Sequence, residues 1–199
     1  MGKQTRNQKI VLKYHSALDF LFMLLFTDGL AQNLFQDFLR SSDSLNIQRR
    51  NAVVISEGVA ITGALVGLSQ LWYNDYKKSG FHFKNDNASW LQMDKAGHVY
   101  SSYHIGRFGA ELLDWSGVSK KDQLIYGATT GFVFLTAVEV LDGYSSEWGF
   151  SWGDAAANAS GTLLYVSQEL LWEEQRVVPK FSFHRTPYAG ARPDVLGAT

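Results

Sequence analysis

The sequence predicts an all-α fold, a membrane-associated bundle of about four helices with a short extended C-terminal arm. Three observations predict it. Apolar stretches of about twenty residues recur along the chain and are separated by polar, glycine-rich turns. Of 199 residues 46% are apolar and only three are proline. The mean hydropathy is nonetheless −0.12, as expected when spanning-length helices are diluted by polar loops and by charges set inside the helices. One domain is the natural reading of this length.

The N-terminal segment, residues 1–31, carries Lys3, Arg6, Lys9 and Lys13, then an apolar run from Phe20 to Phe26 and the small-residue stretch Gly29-Leu30-Ala31. This pattern predicts a signal peptide cut after Ala31, with an uncleaved signal anchor or an amphipathic helix as alternatives. Without it the chain holds 14 basic and 17 acidic residues. Such a balance gives no electrostatic case for nucleic acid as a partner. The absence of cysteine excludes disulfides, thiolate metal sites, a cysteine nucleophile and cysteine acylation in this chain.

The bundle is predicted over residues 32–178. Its first helix, Ala52 to Tyr73, is long enough to cross a hydrocarbon layer. Small residues at four-residue spacing, Ala60 with Ala64 and Gly63 with Gly67, would let another helix approach closely. Asn74 to Asn87 is a loop by its composition. A second helix runs from Met93 to Leu113, with Gly117 just past its end, and a third from Gln123 to Leu141, containing Gly127-x-x-x-Gly131. The fourth begins at Asp154, taken as its N-cap, and runs to about Gln175. Pro179 ends it, and residues 179–199 form the extended arm. Tryptophans near helix ends suit an interfacial belt or core packing equally.

Charges inside apolar helices are costly unless paired, hydrated or functional. Asp94 and His98 lie four apart on one helical face. Glu139 and Asp142 share the end of the third helix, while Asp154 and Asn158 line one face of the fourth, followed by Gly161, Tyr165 and Gln168. Asp94, His98, Glu139 and Asp154 are therefore the candidate catalytic groups, and Lys95, Asp142 and Asn158 the candidate binding groups. Convergence could bind a divalent cation, share a proton for acid/base work, or fix helix register as a structural network. Arg107 with Glu111 is most simply a surface ion pair. No phosphate loop, zinc-protease helix or nucleophile elbow is present.

The segments Met93-Asp94-Lys95-Ala96-Gly97-His98, Thr136 to Gly143, Trp148 to Ser151 and Gly153-Asp154 through Asn158 to Gly161 resemble the YfiM-type family of predicted bacterial envelope lipoproteins, in a Bacteroidetes-like form. More distantly they resemble VanZ-like membrane proteins. The resemblance spans roughly Trp90 to Gln175 and implies a helical envelope protein, but no reaction. Without cysteine, attachment to lipid falls to the helices themselves or to a partner. The function expected is that of an exported, membrane-associated structural or accessory component of envelope maintenance or assembly, at the inner membrane or its periplasmic side, with the outer membrane kept open. Its partners would be membrane lipid and, through glycine-faced helices, a larger envelope complex. The alternative is a membrane enzyme on a lipid-linked or cell-wall substrate, in which His98 is base or ligand, Asp94 orients it, Glu139 and Asp154 hold a cation or proton, and Lys95 neutralises an anionic head group.

Overall fold

The computed structural model describes residues 36–182; the predicted signal peptide and most of the predicted arm lie outside them. Four long helices run alternately up and down: α1 (Ile47–Gly67), α2 (Met93–Trp115), α3 (Thr130–Gly143) and α4 (Trp152–Trp172). The prediction of an all-α bundle is met, and no strand occurs among the described residues, only the isolated bridges Lys78 to Ser145 and Phe83 to Phe150.

Each helix boundary has a local cause. Asn46 caps α1 by accepting a hydrogen bond from the Arg49 amide, and α1 then continues through a wide turn (Leu68–Trp72) and a tight one (Tyr73–Asp75). Helix α2 ends at Trp115, and the chain reverses at Gly117, whose φ of +74° suits a residue without a Cβ. Helix α3 is reached through the single turn Lys120–Asp122 and a π-turn at Gln123–Gly127, so the helical stretch starts earlier than predicted. Helix α4 starts at Trp152, not Asp154: its N-cap is Ser151, whose hydroxyl accepts from the Asp154 amide at 3.2 Å. This corrects the cap expected at Asp154, which sits in the first turn instead.

The packed centre lies among α2, α3 and α4, and it is made by small residues. A Cβ added to Gly127 would lie 2.6 Å from Ala110 Cα; at Gly106, Gly131 and Gly161 it would run into the carbonyl oxygens of Ala128, Ser102 and Val99. Tyr103, Ala110, Leu124, Ala128 and Tyr165 fill the core around these contacts. Gly127 and Gly131 are therefore used inside the chain, against α2. By contrast, a Cβ added to Gly58, Gly63 or Gly67 on α1 would meet nothing within 4 Å among the described residues. Among the described residues α1 is the least covered of the four long helices, with only Val53 buried along its length.

Candidate functional site

The antiparallel order puts the C-terminal ends of α1 and α3 beside the N-terminal ends of α2 and α4. The loops 76–92 and 144–151 close over the same end of the bundle. Helix α2 brings Asp94, Lys95 and His98, α3 brings Glu139 and Asp142, and α4 brings Asp154 and Asn158. All seven residues predicted from the sequence converge there. Glu139, Asp154 and Asn158 are at most 3% exposed. The cluster borders an open cavity of about 470 Å³ whose apolar wall is Trp72, Tyr73 and Trp148.

Lys95 organises one half of the cluster. Its ammonium lies 2.6 Å from Asp86 Oδ1, 2.9 Å from Asp154 Oδ1 and 3.4 Å from Asp94 Oδ2, and it donates to Asp154 Oδ2 at 3.0 Å. Burial alone would raise the Asp86 carboxyl, but hydrogen bonds from Lys95 and Ser151 outweigh it and hold the group at about 2. Burial pushes the Asp154 carboxyl up, against the opposing pull of the same lysine. The lysine is thus committed to carboxylates rather than free for an anionic head group, a correction to the role expected for it.

His98 organises the other half. Its Nδ1 is 2.9 Å from Asn158 Oδ1. An amide oxygen at that nitrogen accepts from an Nδ1–H, which leaves Nε2 turned toward the carboxylates. Three oxygens face Nε2: Glu139 Oε1 at 3.5 Å, Asp94 Oδ1 at 3.7 Å and Asp154 Oδ1 at 3.9 Å. The other Glu139 oxygen accepts the Ser151 amide at 3.1 Å. The Tyr73 hydroxyl donates to Asp142 Oδ1 at 2.5 Å, which ties the end of α1 to the end of α3.

Asp86, Ser151 and Tyr73 belong to the site and were not anticipated. The Ser151 hydroxyl donates to Asp86 Oδ1 at 2.7 Å while accepting from the Asp154 amide. The sequence did hold a signal for Ser151: Ser-x-x-Asp at residues 151–154 is a capping-box spacing. Asp86 lies in an irregular loop, where no periodicity marks a residue as inward-facing. Arg107 and Glu111 form the expected ion pair, at 2.7 Å, on the surface away from the site.

Among the described residues the cluster holds one lysine, paired with Asp86, Asp94 and Asp154, and two further carboxyl groups, Glu139 and Asp142, line the same cavity. Lys84, at the rim, gives its ammonium to the Glu147 carbonyl. The site is therefore electronegative, suited to a cation or to holding protons rather than to an anion.

Residues 82–168 match a family described as predicted periplasmic lipoprotein (DUF2279). The match supports an exported envelope protein of uncharacterised family, and it contains every site residue except Tyr73. No curated protein and no solved structure matches the chain.

Proposed function

We propose that this protein is embedded in a membrane of the cell envelope and serves there as an accessory component of envelope maintenance, with its electronegative pocket at the membrane surface. The observation that carries the reading is a segregation. Two helical stretches, Ile47–Asp75 and Lys120–Gly143, are long and apolar enough to cross a membrane, yet only 6% and 28% of their apolar windows are buried within the chain. Val54, Val59, Val66 and Val133 are among the residues they leave exposed. In water such a surface would be a liability, whereas in lipid it is matched to its solvent. The buried polar cluster lies at one end, charged pairs such as Lys120 with Glu169 lie at the other, and aromatic residues mark both ends. Trp72 and Trp148 stack beside the cavity, with ring centroids 6.1 Å apart, and Trp115 and Trp172 terminate α2 and α4 at the far end. Membrane lipid is then the first partner of the protein. Fractionation with alkaline carbonate washing tests the reading: the protein stays in the membrane pellet, and recovery in the soluble fraction contradicts it.

A second reading, a membrane enzyme on a lipid-linked or cell-wall substrate, is favoured by one observation. A histidine and three carboxylates border a cavity large enough for a small polar group. In that reading His98 is the base and Glu139 or Asp154 holds the proton it exchanges. A strain lacking the protein, complemented with His98→Ala or Glu139→Gln at wild-type abundance, separates the two. Failure of both variants to restore envelope integrity favours chemistry; full restoration favours the accessory role.

A further inference from the structure

We propose that Asp94, His98, Glu139 and Asp154 form a binding site for a divalent transition-metal ion, with one imidazole nitrogen and three carboxylate oxygens as ligands. The inference stands on the side-chain geometry and does not depend on the membrane reading.

The spacing carries it first. An N–H on His98 Nε2 needs an oxygen acceptor within about 2.7–3.2 Å. The three carboxylate oxygens facing it, from Glu139, Asp94 and Asp154, stand at 3.5, 3.7 and 3.9 Å, too far for hydrogen bonds and near enough to turn onto a common ion. Ligands at about 2.0–2.2 Å from a common ion lie about 3–3.6 Å from one another; the ligand atoms of Asp94, His98 and Asp154 lie within 4.8 Å of one another, and Glu139 Oε1 stands 3.5 Å from His98 Nε2.

The second observation is how each ligand is held. His98 Nδ1 is engaged by Asn158, and Glu139 Oε2 by the Ser151 amide. Oδ2 of both Asp94 and Asp154 accepts from Lys95. In every case one atom is tied down and the other is turned to the shared point, the outer-sphere arrangement that orients metal ligands. Asp154 is 3% exposed, and its Oδ1, although near the Lys95 ammonium, receives no hydrogen bond from any described residue. The ammonium at 2.9 Å offsets the charge of this oxygen, and a metal ion would take up its open hydrogen-bonding position. The shared point borders the open cavity lined by Asp94, His98, Glu139 and Asp154, which gives an ion a way in.

An imidazole ligand selects against magnesium and calcium, which take oxygen donors, and favours ions of the zinc and manganese class. The test is titration of the tag-free, full-length, detergent-solubilised protein with Zn²⁺, Mn²⁺ and Mg²⁺ in separate calorimetric experiments. One equivalent of Zn²⁺ or Mn²⁺ binds, Mg²⁺ binds at least tenfold more weakly, and His98→Ala lowers the affinity at least tenfold. Asp94→Asn, at the most exposed ligand and therefore the variant safest for folding, also weakens binding about tenfold, while Glu111→Gln on the same helix leaves it unchanged. Absence of saturable binding by either transition metal overturns the proposal, as does Mg²⁺ binding equal to that of zinc. Unaltered binding by folded Asp94→Asn and His98→Ala overturns it as well.

Discussion

At the scale of single residues, Lys95 is the group on which the polar end depends most. Its side chain is 14% exposed and three carboxylates converge on it. Lys95→Met removes the charge while keeping the stem, leaving those carboxylates facing one another without compensation. Breaking a buried ion pair from one side costs about 3–5 kcal/mol, so about 3 kcal/mol of stability should be lost, measured by chemical or thermal unfolding in detergent. A second ion pair tests pH dependence far from the site. Burial alone would raise Glu169, but Lys120 and then Gln175 outweigh it and hold the carboxyl below its ordinary value. A depressed folded-state pKa gives stability that is present above the unfolded value, near 4.3, and is lost as pH falls through the folded one. Glu169→Gln should therefore lower the midpoint of thermal unfolding at pH 7, and the gap from wild type should close as the pH is taken below about 4. At this scale the sequence was most informative where residues sat on helices. Asp94 and His98, or Asp154 and Asn158, share a face by simple periodicity. Asp86 and Tyr73, from a loop and an irregular helix end, reach the site only through tertiary folding, which no local pattern encodes.

At the scale of elements, the helices divide by what their glycines do. On α4 and in the turn leading into α3, glycine permits backbone contact, and at Gly127 an added Cβ would lie 2.6 Å from both Cα and N of Ala110. Gly127→Ala should cost about 2 kcal/mol by forcing the helices apart. Gly63→Ala on α1 meets open space, and removing a helical glycine there should be neutral or stabilising by about 0.5–1 kcal/mol. Unfolding of the two variants under one condition checks the contrast. In sequence both sites look alike, because a four-residue spacing of small residues states that a close approach is available and not which helix takes it. Helix α2 was legible from its first residue, Met93, to within two residues of its end at Trp115, where a glycine in the left-handed region follows. The start of α4 was misplaced by two residues because Ser151 and Asp154 are both good caps, and only the loop geometry chooses between them.

For the whole molecule, the apolar composition and near-zero hydropathy resolve into a spatial separation: apolar flanks, a small-residue centre and charged ends. An all-α bundle was legible because spanning-length apolar stretches alternate with polar turns. The thin coverage of α1 was not, since hydrophobicity does not say whether protein or lipid will cover a face. The central claim is that lipid covers it, and the cysteine-free chain offers a direct measurement. Spin labels introduced singly through Val59→Cys on α1 and Val133→Cys on α3, with Gly80→Cys in the loop at the polar end as reference, are probed in reconstituted bilayers by collision with molecular oxygen and with a water-soluble nickel chelate. Labels at 59 and 133 should collide readily with oxygen and scarcely with nickel, and the label at 80 should show the reverse. Nickel access at 59 and 133 equal to that at 80 would contradict the account.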